Sequence, residues 1–216
     1  MIRAHANAGS GRWIMSFEEL PQGRKWRQIE LSAIGLREFA RVKSDQPLDP
    51  FRLARFANLL VLDFHAVQGL SEESREHLLG DAASSWSGGA CSVPLPNGER
   101  LVILNPTHGR MRTNATLMEE IAHVFLGHQP SRLKIVAQDE WGRTLARDYR
   151  KTDEEAAYGV GAAALVPFSS LRKFVLAGKT SVEVAKHLRV SRELVEYRLK
   201  VTHLWQLYRK AHPQTN

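Results

Sequence analysis

Cysteine is nearly absent from this chain of 216 residues, in which Cys91 is the only one. A single thiol excludes an intramolecular disulfide, and without a visible partner base Cys91 is best interpreted as a small apolar residue. Long apolar runs are absent too, since none approaches the roughly 20 residues of a membrane helix. Residues 1–11 lack the apolar stretch of a signal peptide. These absences predict a cytoplasmic protein that does not cross a membrane.

Acidic residues are scarce at one end of the chain. The formal net charge is +7, and residues 168–216 alone contain ten Lys or Arg against three Asp or Glu. The rest of the chain is therefore neutral overall. A basic segment on a neutral body favours an anionic partner, nucleic acid being the first candidate. A solvated helical face explains the same composition, so the charge alone leaves both interpretations open.

Proline and turn residues divide the chain into three parts. Ser44–Pro50 interrupts a helix that the apolar pattern predicts over 23–42. Pro167 ends a helix of small residues that is predicted to begin at Thr152 or Asp153. We predict an N-terminal arm and helix over 1–46, a core over 47–167 and a basic helical lobe over 168–216.

Short apolar segments separated by turn residues predict the strands of the core. Asn97-Gly98 lies between two apolar runs and is a strong hairpin signal. A strand is predicted over 60–67 and a second hairpin over 132–150. The predicted fold class is α+β, with a mostly helical core, a small antiparallel sheet and a helical C-terminal lobe.

Chemistry-bearing residues concentrate in the predicted helix that ends near Gly127. Glu119 and His123 are four residues apart and share a helix face, and Glu120 lies beside them. In the zincin helix, two side chains one turn apart hold a metal, and the glutamate after the first ligand takes a proton from the attacking water. The usual His-Glu-x-x-His is here Glu119-Glu120-Ile-Ala-His123, so a carboxylate occupies the first ligand position.

A second acidic group begins the small-residue helix about thirty residues downstream. Glu154 and Glu155 precede a run of Ala and Gly that ends at Pro167. Small side chains allow one helix to pack closely on another. A glutamate at the start of this helix is therefore expected to reach the metal as a third protein ligand.

The two segments resemble the two motifs of the ImmA/IrrE family of intracellular metallo-endopeptidases. In that family the His-Glu-x-x-His motif is often followed by Gly-His, as in Gly127-His128 here. Counting back from Pro167, Glu154 falls on the family's ligand carboxylate. The chain departs from the second motif at Ala156, which replaces a second Glu, and at Tyr158, where Asn or Asp is common.

The resemblance implies a zincin-like core and a metal-dependent endopeptidase. It assigns Glu120 as general base and Glu119, His123 and Glu154 as metal ligands. Zn²⁺ is the expected ion, but one imidazole with two carboxylates shifts the preference toward harder ions such as Mn²⁺. A metal-free, inactive relic is the alternative, and clustered carboxylates favour the cation because burial and mutual repulsion penalise their charge.

The resemblance also implies a protein substrate, typically a helix-turn-helix repressor. Residues 180–200 themselves have a helix-turn-helix rhythm, in which Arg192, Arg198 and Lys200 are predicted to face outward toward phosphates. Packing of this lobe on the core is the favoured alternative. The second functional hypothesis is therefore a catalytically inactive pseudo-peptidase that acts as a protein- or DNA-binding regulator.

Three neighbours of the predicted site have more ordinary interpretations. His128 follows His123 by five positions, about 140° around an ideal helix, and is expected at the helix end rather than at the metal. Tyr158 follows Glu154 by one turn and is expected to pack, with donation to an oxyanion as the alternative. Glu155 is expected to be a solvated neighbour.

Overall fold

The computed structural model describes residues 20–91, 93–128 and 151–212, and the predicted α+β class is confirmed there. The hairpin predicted over 132–150 lies outside these ranges. Among the described helices, none alone has the length and apolar character of a membrane span. The helices Lys151–Leu165 and Phe168–Leu176 reach it only together, across a bend of 50°. The elements are α1 (Arg24–Phe39), α2 (Pro50–Phe56), β1 (Leu59–Leu62), α3 (Glu72–Leu79), β2 (Gly88–Ala90), β3 (Arg100–Leu104), α4 (Arg110–Phe125), α5 (Lys151–Leu165), α6 (Phe168–Leu176), α7 (Ser181–Leu188), α8 (Arg192–Val201) and α9 (Trp205–Ala211).

Polar caps fix where several of these helices begin. Asp49 accepts a hydrogen bond from the Phe51 amide, and Pro50 occupies the first turn of α2. Ser191 accepts from the Leu194 amide and starts α8. Thr180 and Glu183 form a reciprocal capping box at α7. The basic lobe therefore begins its two central helices at positions that its own sequence specifies.

The sheet has the strand order β1-β3-β2 and is mixed, not antiparallel throughout as predicted. The predicted hairpin is confirmed, since β2 runs antiparallel to β3 with Ala90 opposite Val102. The β1 strand runs parallel to β3, because the chain passes through α3 before it returns along β2. The β1 strand is shorter than predicted and ends at Leu62. The Asp63 side chain then caps a single 3₁₀ turn at Phe64–Ala66.

Small residues bring α5 against α4, as the sequence predicts. A Cβ placed on Gly161 would lie 3.2 Å from the Met118 carbonyl oxygen. Ala157, Val160 and Ala164 of α5 are almost fully buried in the same core. This close approach of the two backbones brings the first turn of α5, with Glu154, beside the face of α4 that carries His123.

The C-terminal helices pack on the body of the protein. Leu188, Val195 and Leu199 belong to the hydrophobic core that also contains residues of α1 and α5. His187 Nε2 also contacts the Asp45 carbonyl oxygen, between α1 and α2, at 2.7 Å. These contacts agree with the favoured interpretation, in which the lobe packs on the core. The division of the chain into three parts stays a prediction.

The prediction that Arg198 faces outward is wrong. Its side chain has no solvent exposure and forms an ion pair with Glu30 of α1, and its Nε donates to the Val166 carbonyl at 3.0 Å. Arg198 shares one helix face with Leu194, Val195 and Leu199, so the face that packs on the core carries it inward. A phosphate contact from α8 would therefore depend on Arg192, which pairs with Glu196, and on Lys200, which lies over the Trp205 ring.

Candidate metal centre

The amphipathic character of α4 sets the orientation of the acidic cluster. Leu117, Met118 and Ile121 are buried against α2 and α5, which fixes the inner face of the helix. Glu119, Glu120 and His123 project from the half-buried side of the same two turns. The helix therefore presents two carboxylates and one imidazole together, as the four-residue spacing predicts.

Glu119, His123 and Glu154 converge in the structure. One ligand atom from each lies within 4.8 Å of the others, and His123 Nε2 is 3.3 Å from Glu154 Oε2. Ligand atoms around a tetrahedral ion stand about 3.5 Å apart when the metal–ligand distances are near 2.1 Å, so small side-chain rotations would close the cluster on an ion. In the described part of the chain this is the one group of three or more His, Cys, Asp or Glu with such spacing.

The cluster carries more negative potential than its surroundings balance. Burial, followed by repulsion from Glu120 and Glu154, raises the pKa of Glu119 to about 7. Burial and the Glu154 charge raise the pKa of Glu120 to about 7, and a hydrogen bond from the Ala90 amide partly offsets this. A divalent cation would stabilise both carboxylates in their charged form. The residues therefore fit a metal ion in number, spacing and charge.

Glu155 lies outside the cluster, as expected of a solvated neighbour. Its carboxylate forms an exposed ion pair with Lys25 of α1 at 2.9 Å. The hydrogen bond and the charge of Lys25 lower the pKa of Glu155. The two adjacent glutamates of α5 thus have opposite environments, and Glu154 alone faces His123.

His128 lies just past the end of α4 and outside the three-residue cluster, as expected, but its ring contacts His123. Gly127 adopts φ 69°, a left-handed conformation that ends α4 and reverses the chain. The His128 ring then returns to His123, with 3.1 Å between their Nδ1 atoms. Burial is the main cause that lowers the pKa of His128, which favours its neutral form. The helical wheel does not predict this ring contact, because it extends helical geometry past the residue that ends the helix.

Tyr158 and Tyr197 join the C-terminal lobe to the edge of the cluster. Their ring centroids are 5.2 Å apart in an edge-to-face arrangement. Burial, then Tyr197, then Glu119 raise the pKa of Tyr158, so its hydroxyl stays protonated at neutral pH. The packing expected of Tyr158 is present, and its neighbour comes from α8, which no local sequence pattern indicates.

Comparison with known proteins agrees with the geometry. The profile of the peptidase family described as the IrrE N-terminal-like domain matches residues 83–200, more than half of the chain. This stretch contains α4, α5 and the whole cluster. No curated protein and no solved structure gives a significant match. The chain belongs to the IrrE N-terminal-like domain family of peptidases.

Proposed function

We propose that this protein is a metal-dependent endopeptidase that cleaves a protein substrate. The observation that carries the proposal is the convergence of Glu119, His123 and Glu154 beside Glu120. Three ligands with an adjacent carboxylate base are what metal-assisted peptide hydrolysis requires. The family resemblance favours a helix-turn-helix repressor as the substrate.

The ligand set determines which ion is expected. Two carboxylates and one imidazole are acceptable to Zn²⁺, and the second carboxylate increases the affinity for Mn²⁺ relative to a site with two imidazoles. We propose Zn²⁺ or Mn²⁺ as the resident ion. When bound, the ion would polarise the scissile carbonyl and lower the pKa of the attacking water.

Glu120 is the proposed general base. The Ala90 amide lies near its carboxylate and lowers the pKa of Glu120, which favours the charged form that a base needs. A charged carboxylate beside the three proposed ligands could accept a proton from the attacking water and return it to the leaving amine. Glu120 would therefore transfer the proton in both halves of the reaction.

The open edge of β2 offers a place for the substrate backbone. Asn105 donates to Ser87 and Cys91 donates to Leu101, so alternate residues of this strand pair with β3. Gly88 and Ala90 therefore direct their backbone groups away from β3, and no strand pairs with that edge in the described ranges. Since the Ala90 amide lies close enough to Glu120 to lower its pKa, an extended peptide along the rest of this edge would pass near the base.

Metal content of the purified protein tests the proposal first. We expect close to one equivalent of Zn²⁺ or Mn²⁺ by elemental analysis. His123→Ala and Glu154→Ala should each lose the ion, because each removes one of three protein ligands. Glu155→Ala, which removes the exposed carboxylate next to Glu154, is the matched control and should retain it. A wild-type protein that takes up neither ion would overturn the proposal.

Glu119→His tests the ion preference. The substitution restores the His-Glu-x-x-His motif and replaces one oxygen ligand with imidazole, so the ratio of Zn²⁺ to Mn²⁺ affinity should rise. Competition titrations with a metal indicator measure this ratio. Glu119→Gln is the control for loss of the charge alone and should lower the affinity for both Zn²⁺ and Mn²⁺. An unchanged ratio in Glu119→His would show that residue 119 does not contact the metal.

A further inference from the structure

The His123 ring has polar contacts through both of its nitrogens. Nε2 is 3.3 Å from Oε2 of Glu154, which belongs with Glu119 to the candidate metal cluster. On the opposite side, Nδ1 is 3.1 Å from Nδ1 of His128, with the two rings inclined at 71°. A hydrogen bond at one ring nitrogen fixes which nitrogen carries the proton. The contact at Nδ1 therefore affects whether Nε2 has a free lone pair for a ligand.

The backbone places His128 in this position. The His128 amide donates to the His123 carbonyl at 3.0 Å, and the Gly127 amide donates to the Val124 carbonyl at 3.1 Å. These two bonds form a Schellman motif, in which the second residue past the helix cap contacts the third residue before it. That contact is commonly apolar, whereas here it joins two imidazoles. The ring contact is therefore held by two backbone bonds as well as by its own geometry.

We propose that His128 is a positioning residue for His123. A hydrogen bond between the two Nδ1 atoms holds the His123 ring so that Nε2 points at Glu119 and Glu154. A ligand at Nε2 needs the lone pair of that nitrogen, so the His123 proton must reside on Nδ1, and His128 Nδ1 must accept it. The consequence for metal affinity rests on the proposed function, whereas the orientation of the ring does not.

The experiment combines a spectroscopic readout with metal affinity. In isotopically labelled protein, a nitrogen–nitrogen coupling across the hydrogen bond should link His123 and His128, both without metal and with Zn²⁺. His128→Leu should abolish the coupling and weaken Zn²⁺ binding about 10- to 100-fold. His128→Asn places an acceptor oxygen near the original Nδ1 and should keep the affinity close to wild type. His77→Leu, at an exposed histidine of α3, is the control for the substitution itself.

The outcomes separate this inference from the proposed function. Absence of the coupling in the wild type, or wild-type affinity in His128→Leu, would overturn the positioning role even when the protein binds metal. A protein that shows the coupling and binds no Zn²⁺ or Mn²⁺ would overturn the proposed function and leave the orientation of His123 by His128 established. Loss of affinity in His128→Leu with recovery in His128→Asn would support both.

Discussion

Replacement of Glu120 by Gln is expected to abolish peptide cleavage while the metal stays bound. The amide keeps the shape of the side chain but cannot accept a proton. We therefore expect kcat to decrease by a factor of about 10²–10⁴. Glu120 is not one of the three converging ligands, which is why metal content should be unaffected. Cleavage of dye-labelled casein measures the rate, and elemental analysis measures the ion.

Glu155→Gln is the matched control for this experiment. It makes the same chemical change at a neighbouring glutamate that faces Lys25 rather than the cluster. Both cleavage and metal content should stay at wild-type levels in this variant. Undiminished cleavage by Glu120→Gln would contradict the assignment of Glu120 as the base. Loss of metal in that variant would instead indicate that Glu120 is a ligand.

Replacement of Arg198 by Met is expected to lower the free energy of unfolding by about 3–5 kcal/mol. The change leaves the Glu30 carboxylate buried without its partner, although the Phe168 amide still donates to it at 2.6 Å. Burial already raises the pKa of Glu30, and the Arg198 charge opposes this shift. Without Arg198 the carboxylate must be protonated or unfavourably charged. Thermal unfolding should show a Tm roughly 10 °C below wild type.

Two further variants separate the lost ion pair from the lost side chain. Glu30→Gln/Arg198→Met removes both charges and keeps an acceptor for the Phe168 amide, so it should recover part of the stability. Arg192→Met makes the same substitution in an exposed pair of the same helix and should change the stability little. A stability of Arg198→Met equal to that of Arg192→Met would contradict the buried position of Arg198.

The position of this ion pair also bears on the site. Arg198 and Tyr197 are neighbours on α8, and Tyr197 packs against Tyr158 at the edge of the cluster. The Glu30–Arg198 pair therefore helps to hold the C-terminal lobe beside the cluster of Glu119, His123 and Glu154. A DNA-binding test that replaces Arg198 would disturb this packing, so Arg192 and Lys200 are the informative positions for that alternative.

Part of the candidate site could be predicted from the sequence, because it depends on residues that are close together along the chain. The spacing of Glu119, Glu120 and His123 places them on one helix face, and the small residues before Pro167 indicate a helix that packs closely on another. Gly127 marks the end of α4 by its conformational freedom. The same rule predicts that the residue after this glycine contacts residue 123, so the sequence contained the signal for His128, and the wheel argument overlooked it.

Other features depend on which surfaces meet, and no local pattern specifies them. From the sequence alone Arg198 is expected to be exposed, because charged side chains are usually solvated. Its helix face is instead buried, and Glu30, 168 residues away in sequence, supplies the counter-charge. The contrast between Glu154 and Glu155 likewise depends on where Lys25 lies.

The sequence by itself determined the two helices that carry the cluster and the chemical set of the cluster, since these follow from spacing and residue type. Only the tertiary structure decided which ring contacts His123 and which arginine is internal. Those outcomes depend on burial and on contacts between residues distant along the chain, which set both the pKa values and the partners of each group.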